Sequence, residues 1–362
     1  MKKFIFLTSI IIFSCASKNE IIQVQYTASK GIELLSSTVF KEIEIVVLKG
    51  EEAPIPGPHV NMIVKNDTYY ISDPIHSGKV HLFNSSGEYM NSVGEIGRGP
   101  MEYIDLSDMI IEENGDISVY SYQGELNTYS PQGRFLRNRA FVYNSRHFTK
   151  ANGYNYHFFG DGSYTPFQLY ITDNNNQLID SCLVSANVPY FSSTSPVFST
   201  FKDALNLCPN YGNVIYRFVD YKPQVSYTFD FNEYAIPDEY FGKERNDAMS
   251  FIMSKTVAIK DLFFENQKYA ILQCSVFNFE QGWARYLYGL LVKETSVWKW
   301  YYMKEDDFMN NDNLKYMDDS YLYFIAEPTI MRDAGLAERF PVLQTFDVND
   351  GIIIIKCRLG DD

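Results

Sequence analysis

Two ten-residue segments lying 46 positions apart share a pattern that restricts the fold more than any other feature of the chain. The first runs Val80-His81-Leu82-Phe83-Asn84-Ser85-Ser86-Gly87-Glu88-Tyr89, the second Leu126-Asn127-Thr128-Tyr129-Ser130-Pro131-Gln132-Gly133-Arg134-Phe135. Each is a short alternating strand, a polar turn ending in glycine, and an aromatic residue that opens the next strand. A third copy, Leu169 to Leu178, has Asn176 in the glycine position. Asparagine tolerates the left-handed backbone such a turn needs. Strand-only repeats of this size mark the blades of a β-propeller.

The rest of the chain fits that architecture. Tyr and Phe number 28 and 27, and strand-like runs of Val, Ile and aromatics recur throughout. The alternating segment Glu42 to Leu48 predicts a strand that closes the ring from the N-terminal side, which removes two free sheet edges. Blade one is expected over Val60–Val93, blade two over Ile104–Ala140 with Ile117–Tyr120 as its inner strand, and blade three over Phe141–Ala186. Spacing places three more blades around Asn213–Asp230, Tyr269–Leu291 and Tyr321–Ile355. The four consecutive isoleucines Ile352–Ile355 read as a strand buried on both faces. Lys243–Ser254 is the best helix candidate. The expected fold is therefore all-β: a six-bladed β-propeller of four-stranded antiparallel blades, closed by an N-terminal strand.

The N-terminus carries Lys2 and Lys3, an apolar run from Phe4 to Phe13, and then Ser14-Cys15. A basic start and a short apolar stretch make a secretory signal rather than a membrane span. Ile12-Phe13-Ser14-Cys15 resembles a bacterial lipobox, which would make Cys15 the lipid attachment site and mature N-terminus. The domain reading is a signal peptide at 1–14, a lipidated cysteine and polar tether at 15–39, and the propeller at 40–362. Removal of Lys2 and Lys3 takes the formal charge from −14 to −16. So acidic a body argues against nucleic acid, whose phosphates demand clustered Lys and Arg. No Cys-x-x-Cys motif is present among Cys182, Cys208, Cys274 and Cys357. Cys274 and Cys357 sit in strand-like runs and are expected in the core; an extracytoplasmic compartment permits a disulfide, for which Cys182–Cys208 is the leading pair, but free thiols are the default expectation.

At Gly94-Glu95-Ile96-Gly97-Arg98-Gly99-Pro100-Met101-Glu102-Tyr103, with the flanking repeats and the lipobox, the chain resembles the six-bladed propeller lipoproteins of Bacteroidetes, distant relatives of NHL-repeat propellers. Tyr227–Phe231 followed by Ala235–Tyr240 is similar to that family too. The resemblance implies a propeller fold and a place in the cell envelope, and it supplies no substrate. With the lipobox, the expected location is a lipid anchor in the outer membrane, on either its periplasmic or its surface face. The Gly-rich segment is no nucleotide loop, since no strand leads through it into a helix. Its glycines allow tight turns, and Arg98 can pair with Glu102 or stack on Tyr103, either as a staple between blades or as a ligand contact.

The candidate ligand-binding residues are Arg98, Glu102, Tyr103, His76 and Trp283. All five histidines (His59, His76, His81, His147, His157) fall in the first three blades, and His76 sits in a loop. Neither His-Glu-x-x-His nor Gly-x-Ser-x-Gly occurs, so no catalytic residue is assigned. Calcium could use the acidic stretch 305–313, which lacks the order of a tight calcium loop. Tyr154, Tyr156, Phe158, Trp283, Trp298 and Trp300 are either sugar-stacking platforms or fillers of the layers between blades. The sequence favours a binding or scaffold module for a glycan, peptide or protein partner on the loop-rich face. The alternatives are a metal-dependent propeller hydrolase, lactonase or lyase with its site in the central channel, and a subunit of a larger envelope assembly.

Overall fold

The computed structural model describes residues 21–24, 32–33, 39–50, 59–160, 164–185, 196–240, 245–302, 314–326, 340, 344 and 352–360. These build six sheets, each an antiparallel meander of four strands, arranged as a six-bladed propeller. Blade one comprises Asn61–Lys65, Thr68–Asp73, Lys79–Asn84 and Tyr89–Val93, and blade two Asp108–Ile111, Ile117–Ser121, Glu125–Tyr129 and Phe135–Ala140. Blade three comprises His147–Ala151, Tyr154–Phe158, Phe167–Thr172 and Leu178–Val184. Blade four follows with Phe198–Phe201, Ala204–Leu207, Val214–Val219 and Lys222–Asp230, and blade five with Thr256–Glu265, Tyr269–Asn278, Trp283–Val292 and Val297–Tyr302. Blade six takes Leu314–Met317, Tyr321–Ala326 and Ile353–Leu359 from the C-terminal part of the chain and Phe40–Val47 from the N-terminal part. That last strand closes the ring, pairing antiparallel from Val47↔Ile353 to Phe40↔Leu359.

The sequence repeat is the third strand, turn and fourth strand of blades one to three. Gly87, Gly133 and Asn176 stand at φ of +83°, +83° and +63°, and each donates its N–H to the carbonyl three residues back. The ladder slips by one residue at the same place in all three, between Leu82/Phe83, Thr128/Tyr129 and Ile171/Thr172. At Gly87 glycine is required for a second reason, because a Cβ there would overlap the Val47 carbonyl of the closing strand.

The isoleucine run shows why both faces of a blade are apolar. Ile353 and Ile355 point into the core shared with blade five, beside Leu262 and Ile271. Ile352 and Ile354 point into the core shared with blade one, beside Val60 and Ile71. Full burial of each such side chain contributes about 1.5–3 kcal/mol. One reading of the sequence needs correction: the innermost strand of blade two is Asp108–Ile111, not Ile117–Tyr120. The completely buried Ile117–Ser121 belongs to the second position, where neighbouring strands and blades enclose it, while the first strand faces the channel and is mixed in character.

Two short strands from the stretch expected as a tether lie on the outside of the ring. Ile21–Gln23 pairs parallel with Thr228–Asp230 of blade four, and Ile32–Glu33 with Tyr301–Tyr302 of blade five. They give those blades a fifth strand and cover hydrogen-bonding edges that would otherwise be open. The helix lies at Arg245–Ser254 and anchors Ala248 and Ile252 against Val257 and Phe277 between blades four and five. No helix among the described residues is long and apolar enough to cross a membrane.

Candidate functional site: the central channel

In an antiparallel meander the turns between strands one and two, and between three and four, emerge on one face of the ring. We call this the turn face. The opposite, crossover face carries the turns between strands two and three and the links from blade to blade. First strands of all six blades wall a central cavity of about 580 Å³, within the range of small-ligand sites. Its lining continues into the first turns of blades four, five and six, through Lys202, Asn266, Asp318 and Asp319, so the cavity reaches the turn face. Asn61 Oδ1 and Ser199 Oγ lie in its wall, buried and without a hydrogen-bond partner among the described residues.

Charge in and behind the wall is organised around carboxylates. Glu112 accepts from Lys150 Nζ at 2.8 Å and Ser118 Oγ at 2.8 Å, with Arg137 at 3.9 Å. Burial works against its charge, but these partners outweigh it and hold the carboxyl below its ordinary range. Lys65 donates to the carbonyls of Ile111 and Glu112 and so ties blade one to blade two. On the far side Glu265, whose side chain is 1 % exposed, receives the Arg217 guanidinium and, at 2.8 Å, the Lys293 ammonium. Asn206 Nδ2 and the Tyr227 hydroxyl complete its coordination at 3.0 and 3.2 Å. Burial, Arg217 and Lys202 push the Lys293 ammonium down to about 8, against the pull of the Glu265 carboxylate. In blade six Asp318 accepts the Tyr323 hydroxyl at 2.5 Å and the N–H groups of Ser320 and Tyr321 at 2.7 Å. Burial and that carboxylate raise the Tyr323 phenol far above its usual range. Such a wall, with fixed cations, oriented carboxylates and apolar floors from Phe148, Phe201 and Phe264, suits a polar or charged ligand.

Among the described residues, none of those singled out in the sequence lines this cavity. His76, Arg98, Glu102 and Tyr103 all lie on the crossover face, in the second turn of blade one and the link to blade two. His76 is exposed and leans on the buried Asp73, at 3.3 Å from its Oδ1. Arg98 is exposed. Glu102 folds back to accept the Gly99 N–H at 2.7 Å, and a Cβ on Gly97 would collide with it. Tyr103 is buried in the core between blades one and two, and its hydroxyl donates to the Gly78 carbonyl at 2.6 Å. Burial drives that phenol far above its ordinary range. The staple of this segment is thus Tyr103, with Glu102 bracing the turn.

Trp283 opens the third strand of blade five and is half-buried against the blade four–five core; its Nε1 donates to Gln281 at 2.9 Å and Arg285 covers its ring. Trp298 and Trp300 stack on each other and meet Phe229 of blade four edge-on. Tyr156 and Phe158 are buried, and Tyr154 packs against Tyr221. Trp298, Trp300, Tyr156 and Phe158 pack in the layers between blades, while Trp283 keeps part of its surface exposed. Cys182, Cys208, Cys274 and Cys357 are all free thiols, the last three buried, so Cys182 and Cys208 form no disulfide. Cys15 and the acidic stretch 305–313 lie outside the described residues. Among the described residues no group of three or more His, Cys, Asp or Glu is placed to hold a metal ion. Ser77 and His81 touch at 2.8 Å, but His81 is buried, bonded on its other side to Ser92, and remote from the cavity lining.

The sequence reading missed Lys202, Arg217, Glu265 and Lys293, which come from blades four and five and share no motif. One signal was available. Lys202 occupies a turn position that holds Asn66 in blade one and Asn152 in blade three, and all three have positive φ.

Comparison with known proteins agrees with this architecture. A crystal structure of a presumed exported protein from Bacteroides fragilis NCTC 9343 is similar at a TM-score of 0.75 and 18 % identity, covering 94 % of this chain and 100 % of that one. Such identity speaks to the fold alone. BamB from Moraxella catarrhalis, at a TM-score of 0.34 and 11 % identity over 82 % of this chain and 71 % of its own, is too distant to inform the site. No curated protein matches the chain. The profile of a domain of unknown function, DUF4934, matches residues 19–344, and the chain belongs to that family.

Proposed function

We propose that this protein is a binding module of the cell envelope, held to the membrane by a lipid on Cys15, and that its ligand enters the central channel from the turn face. The ligand is a glycan, a peptide or a protruding part of a protein partner. The observation that carries this reading is the cavity of about 580 Å³ walled by the first strands of all six blades, with Lys202, Asp318 and Asp319 at its turn-face mouth.

The test is a thermal-shift screen of the full chain in detergent against saccharides, peptides and divalent metals, with a chelator control. A ligand at about a hundred times its dissociation constant adds roughly 2.7 kcal/mol of stability. Ser199→Trp should fill the channel and abolish the shift. A ligand that still binds this variant but is lost with Arg98→Ala or Trp283→Ala would move the site to the crossover face. A calcium shift reversed by the chelator would favour a metal-dependent enzyme.

A further inference from the structure

We propose that the junction of blades four and five, at the turn-face end of the channel, is a subsite for the oxyanion group of a small ligand: a carboxylate, sulfate or phosphate. This deepens the channel-binding reading and rests on it for the remainder of the ligand. Phe201 ends the innermost strand of blade four, and its ring forms part of the cavity wall. Three cations surround that ring, with Lys293 Nζ at 4.0 Å from its centre, Lys202 Nζ at 5.2 Å and the Arg217 guanidinium carbon at 5.6 Å. The ring attracts each of them, but it does not neutralise their mutual repulsion.

Among the described residues Glu265 is the carboxylate bonded into the cluster, and its two oxygens already take four donors, while Asp318 and Asp319 of blade six line the same cavity without bonding to these cations. It cancels one positive charge of three. Lys202 has no ion-pair partner among the described residues and is exposed at the rim. The cluster therefore holds a local excess of positive charge inside a chain of formal charge −14. Lys65 and Lys150 belong to the wall of blades one to three, where Lys65 donates to the carbonyls of Ile111 and Glu112 and Lys150 pairs with Glu112.

Lys202 also sits where the local backbone would favour another residue. Its φ is +53°, in a two-residue turn that blade one fills with Asn66-Asp67 and blade three with Asn152-Gly153. Asn adopts that conformation more readily than Lys. A lysine here costs the turn something and places an ammonium at the mouth of the channel. Cations flanking an aromatic floor match a ligand that joins an oxyanion to a ring or apolar face, through charge-assisted hydrogen bonds.

The test is calorimetric titration of the full chain with acetate, sulfate, inorganic phosphate, and glucuronate paired with glucose, at constant ionic strength set by chloride. Wild-type protein should bind at least one oxyanion in preference to chloride, and glucuronate in preference to glucose. Lys202→Asn restores the turn residue of the other blades, so the melting temperature should hold or rise while oxyanion affinity falls fivefold or more. Lys293→Gln gives a second variant with the same expected loss. Equal response to oxyanions and chloride, or unchanged oxyanion affinity in Lys202→Asn, would overturn the subsite. If Ser199→Trp abolishes ligand binding while Lys202→Asn does not, the channel stands and the subsite falls. If Lys202→Asn weakens oxyanions while Ser199→Trp leaves them bound, the subsite stands and the channel reading falls.

Discussion

Replacing Glu265 by glutamine removes one charge and keeps the shape, so its effect can be worked out from the contacts. The carboxylate Oε1 takes Arg217 and Asn206, and Oε2 takes Lys293 and Tyr227. A glutamine carbonyl can serve one of these pairs, and its NH₂ must then face the donors of the other. In either orientation the bond to one cation is lost, worth about 1.5–3 kcal/mol. The counter-charge of a buried cluster goes as well, and breaking a buried pair costs roughly 3–5 kcal/mol in all. The expected loss is therefore about 4 kcal/mol. With about 2.1 cal/mol/K of unfolding entropy per residue over 362 residues, that lowers the melting temperature by roughly 5 °C. Urea denaturation with an unchanged slope, alongside calorimetry, measures it. Glu112→Gln serves as the control, because that side chain is 23 % exposed and solvent can replace part of what it loses, so about 1–2 kcal/mol is expected. A loss below about 1 kcal/mol in Glu265→Gln would refute the reasoning, since it would mean the two cations do not depend on that carboxylate.

Two further outcomes follow from buried groups remote from the channel. Tyr103→Phe strips the Gly78 carbonyl of its donor and should cost about 1–3 kcal/mol in denaturant melts while leaving ligand affinity untouched; unchanged stability with weakened ligand would return Tyr103 to a recognition role. Burial pushes the His81 and His157 imidazoles down to about 4 and 3, so between those values and the unfolded pKa near 6.5 the unfolded state holds more protons and stability falls with acidification. Going from pH 7 to pH 5 should cost roughly 2 kcal/mol per histidine, and the pair His81→Gln and His157→Gln should flatten the profile; equal stability of the wild type at both pH values would contradict it.

The propeller was legible because blades repeat a local device. The strand–turn–strand signal around Gly87, Gly133 and Asn176 is set by backbone conformation within ten residues, and a linear reading captures it. Ring closure by the N-terminal strand and the helix before blade five were legible for similar local reasons. The site was not. Phe201, Arg217, Glu265 and Lys293 come from four different strands and turns, and only the folding of two blades brings them together. Tyr103 drew notice through its Gly-rich segment and Trp283 through its turn. In the structure Tyr103 is buried in the core between blades one and two, whereas Trp283 is only half-buried against the core between blades four and five.

The closing strand imposes an order on how the molecule can be completed. Phe40–Val47 is made early, but its partner Ile353–Leu359 comes more than 300 residues later, as in the Lys356–Glu44 bond that spans 312 positions. Until the C-terminal strand arrives, Phe40–Val47 lacks its antiparallel partner, and the loop to be closed is almost the whole chain. Blades one to three can form from neighbouring segments as they emerge, whereas the ring locks only at the end. Full cooperativity should therefore appear late in refolding, and a chain cut short before Ile353 should keep local blade structure yet lack the final lock.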